Sequence, residues 1–309
     1  MAREEMKEEK GDLKFSVGGY FRRGDELFPA FAVFLAVTLL CAALLTARWS
    51  DERLGAEEYE RLSQWAGLER SGEEAGRAGS SVFGEMDPPD PEVQVNEAKL
   101  QKLNPDFAAW LWIPGIDVSY PVTAPETNEQ YLRRTFAGEQ RACGTLFFDC
   151  AADPAASLNA VIHGHNMRSG EMFGRLKDYL ETEKMEAEKM EEEEIRGADG
   201  REMEKEPVLF LWMDGRWESY RLLTAYTADH LDVEPYRFLF SSEEEFKEYV
   251  KNCEKRDMRK MPAGAGETEK AGKKEKKEKE EKKSIGKILT LSTCHGKNMR
   301  LIVQWGLVE

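Results

Sequence analysis

A mainly β, α+β fold is what this sequence predicts: many short strands in a closed or half-closed sheet, short peripheral helices and one N-terminal transmembrane helix. Two patterns predict it. Beyond residue 92 the apolar stretches are short, rich in β-branched and aromatic residues, and separated by turn-forming Gly, Pro, Asn and Asp. Before that, residues 27–47 carry no charge at all; at about 1.5 Å per residue such a helix covers about 30 Å, the thickness of a bilayer core. The 309 residues are 41% apolar and 10% aromatic, enough for one sizeable core. A formal net charge of −15 argues against nucleic acid as a partner. The five cysteines form no C-x-x-C pair and show no zinc spacing, so neither a metal nor another cofactor is expected. Cys143 and Cys150 bracket Gly-Thr-Leu-Phe-Phe-Asp, which as one extended strand holds them about 20 Å apart, too far to bond.

In chain order, residues 1–26 form a polar tail and 27–47 the membrane anchor. The apolar run is long for a signal peptide, and Leu45-Thr46-Ala47 is a poor cleavage site. Lys and Arg are denser before the run than after it, which places the tail inside and the bulk of the chain outside the cell. Residues 48–91 read as a stalk, helical over 51–68 and then a Gly/Ser/Pro linker. A short helix over 97–103 ends before Asn104-Pro105. Strands follow at 107–113, 118–122, 144–149, 160–163, 208–212 and 219–228, and two more close the chain at 288–293 and 301–305. A short helix is expected over 172–179. A clearer one is expected over 240–253, with Ser241-Ser242 and three glutamates at its start. Residues 181–206 and 255–283 are dominated by Glu and Lys and read as solvated insertions in a domain spanning 92–309.

Two stretches carry chemistry. In Lys287-Ile-Leu-Thr-Leu-Ser-Thr-Cys-His-Gly-Lys-Asn-Met-Arg-Leu-Ile-Val-Gln-Trp305, a buried strand closes on Cys294, a polar turn follows, and Arg300 opens the next strand. That hairpin sets a thiol beside a fixed guanidinium. The thiolate is the useful nucleophile, and positive neighbours favour it. In Asn159-Ala-Val-Ile-His-Gly-His-Asn-Met-Arg, a strand ends in two of the chain's four histidines, His163 and His165. A Cys with a distant His is the minimal pair for covalent acyl transfer. An Arg, always protonated, suits a developing oxyanion.

The stretch Thr290-Leu-Ser-Thr-Cys294 followed by Arg300 resembles the sortase signature in its class B form. So do Asn104-Pro-Asp-Phe-Ala-Ala-Trp-Leu-Trp-Ile-Pro-Gly, Ile116-Asp-Val-Ser-Tyr-Pro-Val, Asn128-Glu-Gln-Tyr-Leu-Arg-Arg-Thr-Phe, Gly144-Thr-Leu-Phe-Phe-Asp, Ile162-His-Gly-His-Asn-Met and Met172-Phe-Gly-Arg-Leu, in that order over roughly 92–309. The resemblance implies an eight-stranded sortase-type β-barrel with Cys294 as nucleophile, His165 as acid and base, and Arg300 as third member. It implies substrate contacts at Ser292 and, in a peptide groove, at Asn128 and Leu132. His163 stands where the class B pattern often has Tyr, and His295 follows the nucleophile. The implied activity is membrane-anchored transpeptidation. A C-terminal sorting signal of secreted surface proteins is cleaved through a Cys thioester, and the acyl group passes to an amine of a cell-wall precursor. The implied setting is the outer face of a Gram-positive-type membrane. Two other readings are a pilin-polymerising class B enzyme, which transfers to a pilin amine, and a catalytically inactive peptide-binding domain.

Overall fold

Eight strands close into a barrel in the order β1-β2-β3-β4-β7-β8-β6-β5, with β5 returning to β1. The computed structural model describes residues 18–67, 94–180, 207–258, 285–294 and 296–308. The strands are β1 (Phe107–Ile113), β2 (Val118–Thr123), β3 (Leu146–Phe148), β4 (Asn159–His163), β5 (Val208–Met213), β6 (Arg216–Asp229), β7 (Ile288–Cys294) and β8 (Met299–Leu307). Among the described residues three α-helices accompany them: α1 (Gly18–Ser63), α2 (Glu97–Leu103) and α3 (Glu243–Lys255). The chain falls into two units, Met1–Ser50 and Asp51–Glu309.

In the first unit, α1 is long and apolar enough to cross a membrane by length and composition. Its large apolar side chains, among them Phe31, Phe34, Leu40 and Leu45, are exposed.

In the second unit the strands read as nearly continuous buried runs because the barrel has a filled interior and covered outer faces. Trp110, Tyr120, Phe210, Leu289, Leu291, Val303 and Trp305 are almost wholly buried. The Trp110 indole N–H, which burial would otherwise leave unpaired, donates to Ser119 Oγ at 3.1 Å. Helix α3 covers β6 and β7 with Phe246, Tyr249, Val250 and Cys253, an i, i+3, i+4, i+7 stripe against Leu223 and Ile288. It starts where Ser242 Oγ accepts from the Glu245 N–H at 3.2 Å, and Glu243, Glu244 and Glu245 face the positive end of the helix dipole.

The stretch expected as a helical stalk is helical, but from Asp51 onward it packs into the second unit. Tyr59, Leu62 and Ala66 are buried in the main core cluster. The Tyr59 ring meets Tyr120 edge-on at 5.2 Å, and its hydroxyl donates to the Gly144 carbonyl. Asp51 accepts from Arg141 and from the Ala142 N–H, both at 3.1 Å. The linker expected over 71–91 lies outside the described residues, as do the insertion at 181–206 and most of that at 255–283.

Gly144 needs its lack of a side chain. Its φ is +58°, and a Cβ would lie 2.5 Å from the Tyr131 carbonyl oxygen and 2.6 Å from that of Leu132. Both obstacles are backbone, so neither can swing aside, and left-handed strain of about 1–3 kcal/mol adds to the clash. Gly144→Ala is therefore expected to lower the melting temperature of the full chain by at least about 5 °C, at roughly 2–4 °C per kcal/mol. Thermal unfolding followed by circular dichroism checks this.

Candidate active site

The β7–β8 hairpin sets the centre. Its register pairs Cys294 with Arg300 directly across the ladder. Gly296 and Asn298 both take positive φ in the connecting turn, which lets so short a polar segment reverse the chain. Cys294 is exposed, and the Arg300 guanidinium donates from Nη1 to its sulfur at 2.7 Å. The hairpin mouth expected from the sequence is thus present, thiol against guanidinium. The turn is held from outside by the His230 N–H, which donates to the Asn298 carbonyl at 3.0 Å. His295 lies outside the described residues.

The histidines arrive on β4, which runs parallel to β7 with His163 beside Ser292. The Gly164 N–H continues the ladder to the Ser292 carbonyl at 3.2 Å. Further on, the Asn166 amide donates to the Cys294 carbonyl at 2.7 Å. His165 sits between these two contacts. Its Nε2 meets the Leu132 carbonyl oxygen at 2.5 Å. A carbonyl can only accept, so Nε2 carries a proton, and in the neutral imidazole Nδ1 is the basic nitrogen. Gly164 gives this corner its tightness: a Cβ there would run into the buried side chains of Leu146 and Phe173.

His163 has a different environment. It lies between Phe147 and Tyr236, with ring centroids at 5.3 and 5.9 Å, and Tyr236 is stacked on it. Its Nε2 pairs with Asp149 Oδ2 at 2.9 Å. The hydrogen bond from His163 holds the Asp149 carboxyl below the usual carboxylate range, outweighing the burial that works against it. A carboxyl with a depressed folded-state pKa contributes stability that is full above its unfolded value, about 3.9, and is lost as pH falls through the folded value. Asp149→Asn should therefore melt below the native chain at pH 5 to 7, and the gap should close as the pH falls below about 4. Melting curves over that range check it.

The other expected site residues take these places. Ser292 is buried one layer beneath the thiol, its Oγ 2.9 Å from the Tyr236 hydroxyl. Asn128 does not project freely: its Oδ1 accepts from the Cys150 N–H at 2.9 Å and so steadies the turn after Asp149. Leu132 is exposed, and its carbonyl is the acceptor for His165. Asp149 and Tyr236 were not singled out from the sequence. Asp149 offered one signal, a carboxylate directly after a strand that runs into the His-Gly-His stretch; Tyr236, in a turn remote in sequence, offered none.

All five cysteines are free thiols. Cys143 and Cys253 are buried, and burial pushes each thiol up to about 11, which keeps them protonated and unreactive at neutral pH. Cys294 and Cys150 are exposed in the second unit, and of the two Cys294 has a cation on its sulfur. Among the described residues no group of His, Cys, Asp and Glu is arranged to hold a metal ion.

The family model of the sortase domain matches residues 111–308. The chain is 34% identical over 93 residues to sortase B of Listeria monocytogenes and 34% identical over 82 residues to sortase B of Staphylococcus aureus. These alignments cover 30% and 26% of this chain and 38% and 34% of the relatives, so each matched stretch is well under half of the relative's length. In fold, the chain is similar to the X-ray structure of Clostridium perfringens sortase B, with a TM-score of 0.53 and 23% identity over 69% of this chain and 100% of that one. It is likewise similar to a Staphylococcus aureus sortase B–substrate complex, with a TM-score of 0.56 and 18% identity over 84% of this chain and 99% of that one.

Proposed function

Because the chain belongs to the sortase family, we propose that it is a membrane-anchored cysteine transpeptidase of the class B type, acting on C-terminal sorting signals of secreted surface proteins. The observation that carries this is the Arg300–Cys294 contact at the barrel rim, with His165 between the Gly164–Ser292 and Asn166–Cys294 hydrogen bonds. The relatives and the structures of similar fold are sortase B proteins, and one of those structures is a substrate complex.

In this reading the Cys294 thiolate attacks the carbonyl carbon of the scissile amide, which the class B resemblance places after a threonine. The carbonyl π electrons move to oxygen, and the oxyanion is met by Arg300, whose donors stay charged throughout. As the tetrahedral intermediate collapses, the C–N bond breaks. Protonated His165 gives its proton to the leaving amine, and a thioester remains on Cys294. An incoming amine then attacks the thioester, His165 takes its proton, and the thiolate leaves with its electron pair. The product is a new amide. Without an amine, water takes the same route to the free acid. Asn166 fixes the backbone at Cys294, the Leu132 carbonyl holds the His165 ring, and Asn128 and Leu132 are the positions we assign to the peptide groove, with Ser292 supporting the site from beneath.

Residues 27–47 serve as the single-pass anchor, with residues 1–26 in the cytoplasm and the 92–309 domain outside. The segment from Asp51 to Ala66, whose buried residues join the core cluster, is functionally part of that domain. An anchor suits the chemistry, since it holds the enzyme where secreted substrates emerge. Intact mass spectrometry of the full chain in detergent, incubated with Pro-x-Thr peptides and no amine, should show an acyl adduct. Adding a cell-wall-type oligoglycine amine or a lysine-bearing pilin peptide should discharge it, and the acceptor that does so faster separates wall anchoring from pilus assembly. No adduct and no cleavage with any peptide of the panel would favour the binding-only domain.

A further inference from the structure

Asn159 opens β4, five residues before Gly164, and is completely buried. Its carboxamide Nδ2 donates to the Pro235 carbonyl at 3.0 Å and to the Arg237 carbonyl at 2.9 Å. These two acceptors flank Tyr236, so the two shorter contacts of one amide go to the two sides of one residue; a third, longer one at 3.3 Å goes to the Tyr249 hydroxyl. The opposite end of the carboxamide is fixed as well, since Oδ1 accepts from Thr290 Oγ1 on β7 at 2.7 Å. Gln304 on β8 donates to Thr290 Oγ1 at 3.1 Å and to the Tyr249 hydroxyl at 3.0 Å. Tyr249 on α3 in turn donates to the Glu234 carbonyl at 3.2 Å. Polar groups from three strands and a helix are therefore linked in one network, and through Asn159 and Tyr249 it ends on the carbonyls of one short turn, 234–237.

That turn delivers Tyr236 to the rim of the site. The ring stacks on His163, and the hydroxyl meets Ser292 Oγ, two residues before the nucleophile. Burial pushes the phenol up, while its hydrogen bond to Ser292 and the Arg300 guanidinium act in the other direction. Tyr236 thus touches two residues of the site and feels the charge of a third. Its direction depends on a backbone that Asn159 holds on both sides.

We propose that Asn159 is a positioning residue for the Cys294–Arg300 site, acting through Tyr236. The amide sets the turn, the turn sets the phenol, and the phenol sets Ser292 and the neighbourhood of Arg300. This rests on Cys294 and Arg300 being the reacting groups. A purely structural Asn159 predicts something different: a lower melting temperature, unchanged turnover per folded molecule, and no interaction with Tyr236.

A double-mutant cycle separates the two. Native full chain, Asn159→Ala, Tyr236→Ala and the double variant are compared for melting temperature and for kcat and KM of peptide cleavage, well below the lowest melting point. Each single variant should lose at least about tenfold in kcat/KM. The double variant should lose no more than Tyr236→Ala alone, within about twofold, because Asn159 has nothing left to position. Tyr249→Phe removes another anchor of the same turn more gently. It should show a smaller loss that also vanishes in the Tyr236→Ala background, and it carries the test if Asn159→Ala does not fold. Losses that multiply, or an Asn159→Ala enzyme with native kcat/KM and only a lower melting temperature, would overturn the proposal while leaving the catalytic reading intact. A native chain that forms no adduct and cleaves nothing would overturn the catalytic reading and this proposal together.

Discussion

Cys294→Ala is expected to abolish the acyl adduct and to reduce peptide cleavage at least about a thousandfold, the scale on which an acyl-transfer enzyme falls when its nucleophile is removed. The variant should otherwise be intact. Cys294 is an exposed strand-end residue, and what its side chain gives up is the contact from Arg300. Exposed substitutions of this kind change stability within about 0.5 kcal/mol, or one to two degrees in a domain of this size. A lost adduct with an unchanged melting curve therefore reports chemistry and not folding. Intact mass and cleavage rate are measured on the same sample. Cleavage retained at even a tenth of the native rate would remove Cys294 as the nucleophile. The remaining exposed thiol of the second unit, Cys150, would then become the candidate, although it lies in a turn with its N–H on Asn128.

How much of this was legible in the sequence varies element by element. The β7–β8 hairpin was, because a buried β-branched strand, a polar turn with Gly and a second apolar strand are local signals that need no knowledge of the rest of the chain. The thiol–guanidinium pairing followed from it. The strand order was not readable, since β4 beside β7 is a parallel pairing across more than a hundred residues that leaves no local trace. The sequence reading expected a helix over 172–179, but the structure has a short 3₁₀ turn at Leu176–Leu180. The reason is tertiary. Met172 takes a φ of +54°, its N–H donates to the Tyr120 hydroxyl at 3.1 Å, and it bridges back to Asn166. The first turn of an α-helix is thereby excluded. The opposite case is the 51–66 segment. Its helix is legible in the sequence, and the buried stripe of Tyr59, Leu62 and Ala66 stands at helical spacing, yet high charge makes it look like a stalk. The six expected site residues divide along the same line. Cys294, His165 and Arg300 sit in short local motifs, whereas the roles of Ser292, Asn128 and Leu132 depend on Tyr236, Cys150 and His165, partners that only the fold brings near.

Exchanging the two histidines one at a time is the second large effect. His165→Ala should lower kcat by about 10²–10⁴-fold, the usual contribution of a general acid–base group. His163→Ala should keep measurable turnover and show its loss elsewhere. The geometry gives the ranking. His163 is held at one nitrogen and at its ring, with Nε2 on Asp149 and contacts to the Phe147 and Tyr236 rings. An imidazole fixed this way has little freedom to move a proton to and from a substrate. Removing it leaves the Asp149 carboxylate without its partner and Tyr236 without a stacking surface, so the expected costs are a lower melting temperature and a raised KM. His165 makes one ring hydrogen bond that fits a positioning role, Nε2 to the Leu132 carbonyl, which orients the ring and leaves Nδ1 as its basic atom. The two variants should therefore separate on different axes, His165→Ala in kcat with the melting point nearly kept, His163→Ala in KM and melting point with kcat largely kept. Steady-state kinetics and thermal melts on both variants decide it. A His163→Ala enzyme that is folded but inert, beside an active His165→Ala enzyme, would transfer the acid–base role to His163 and make Asp149 its partner in catalysis.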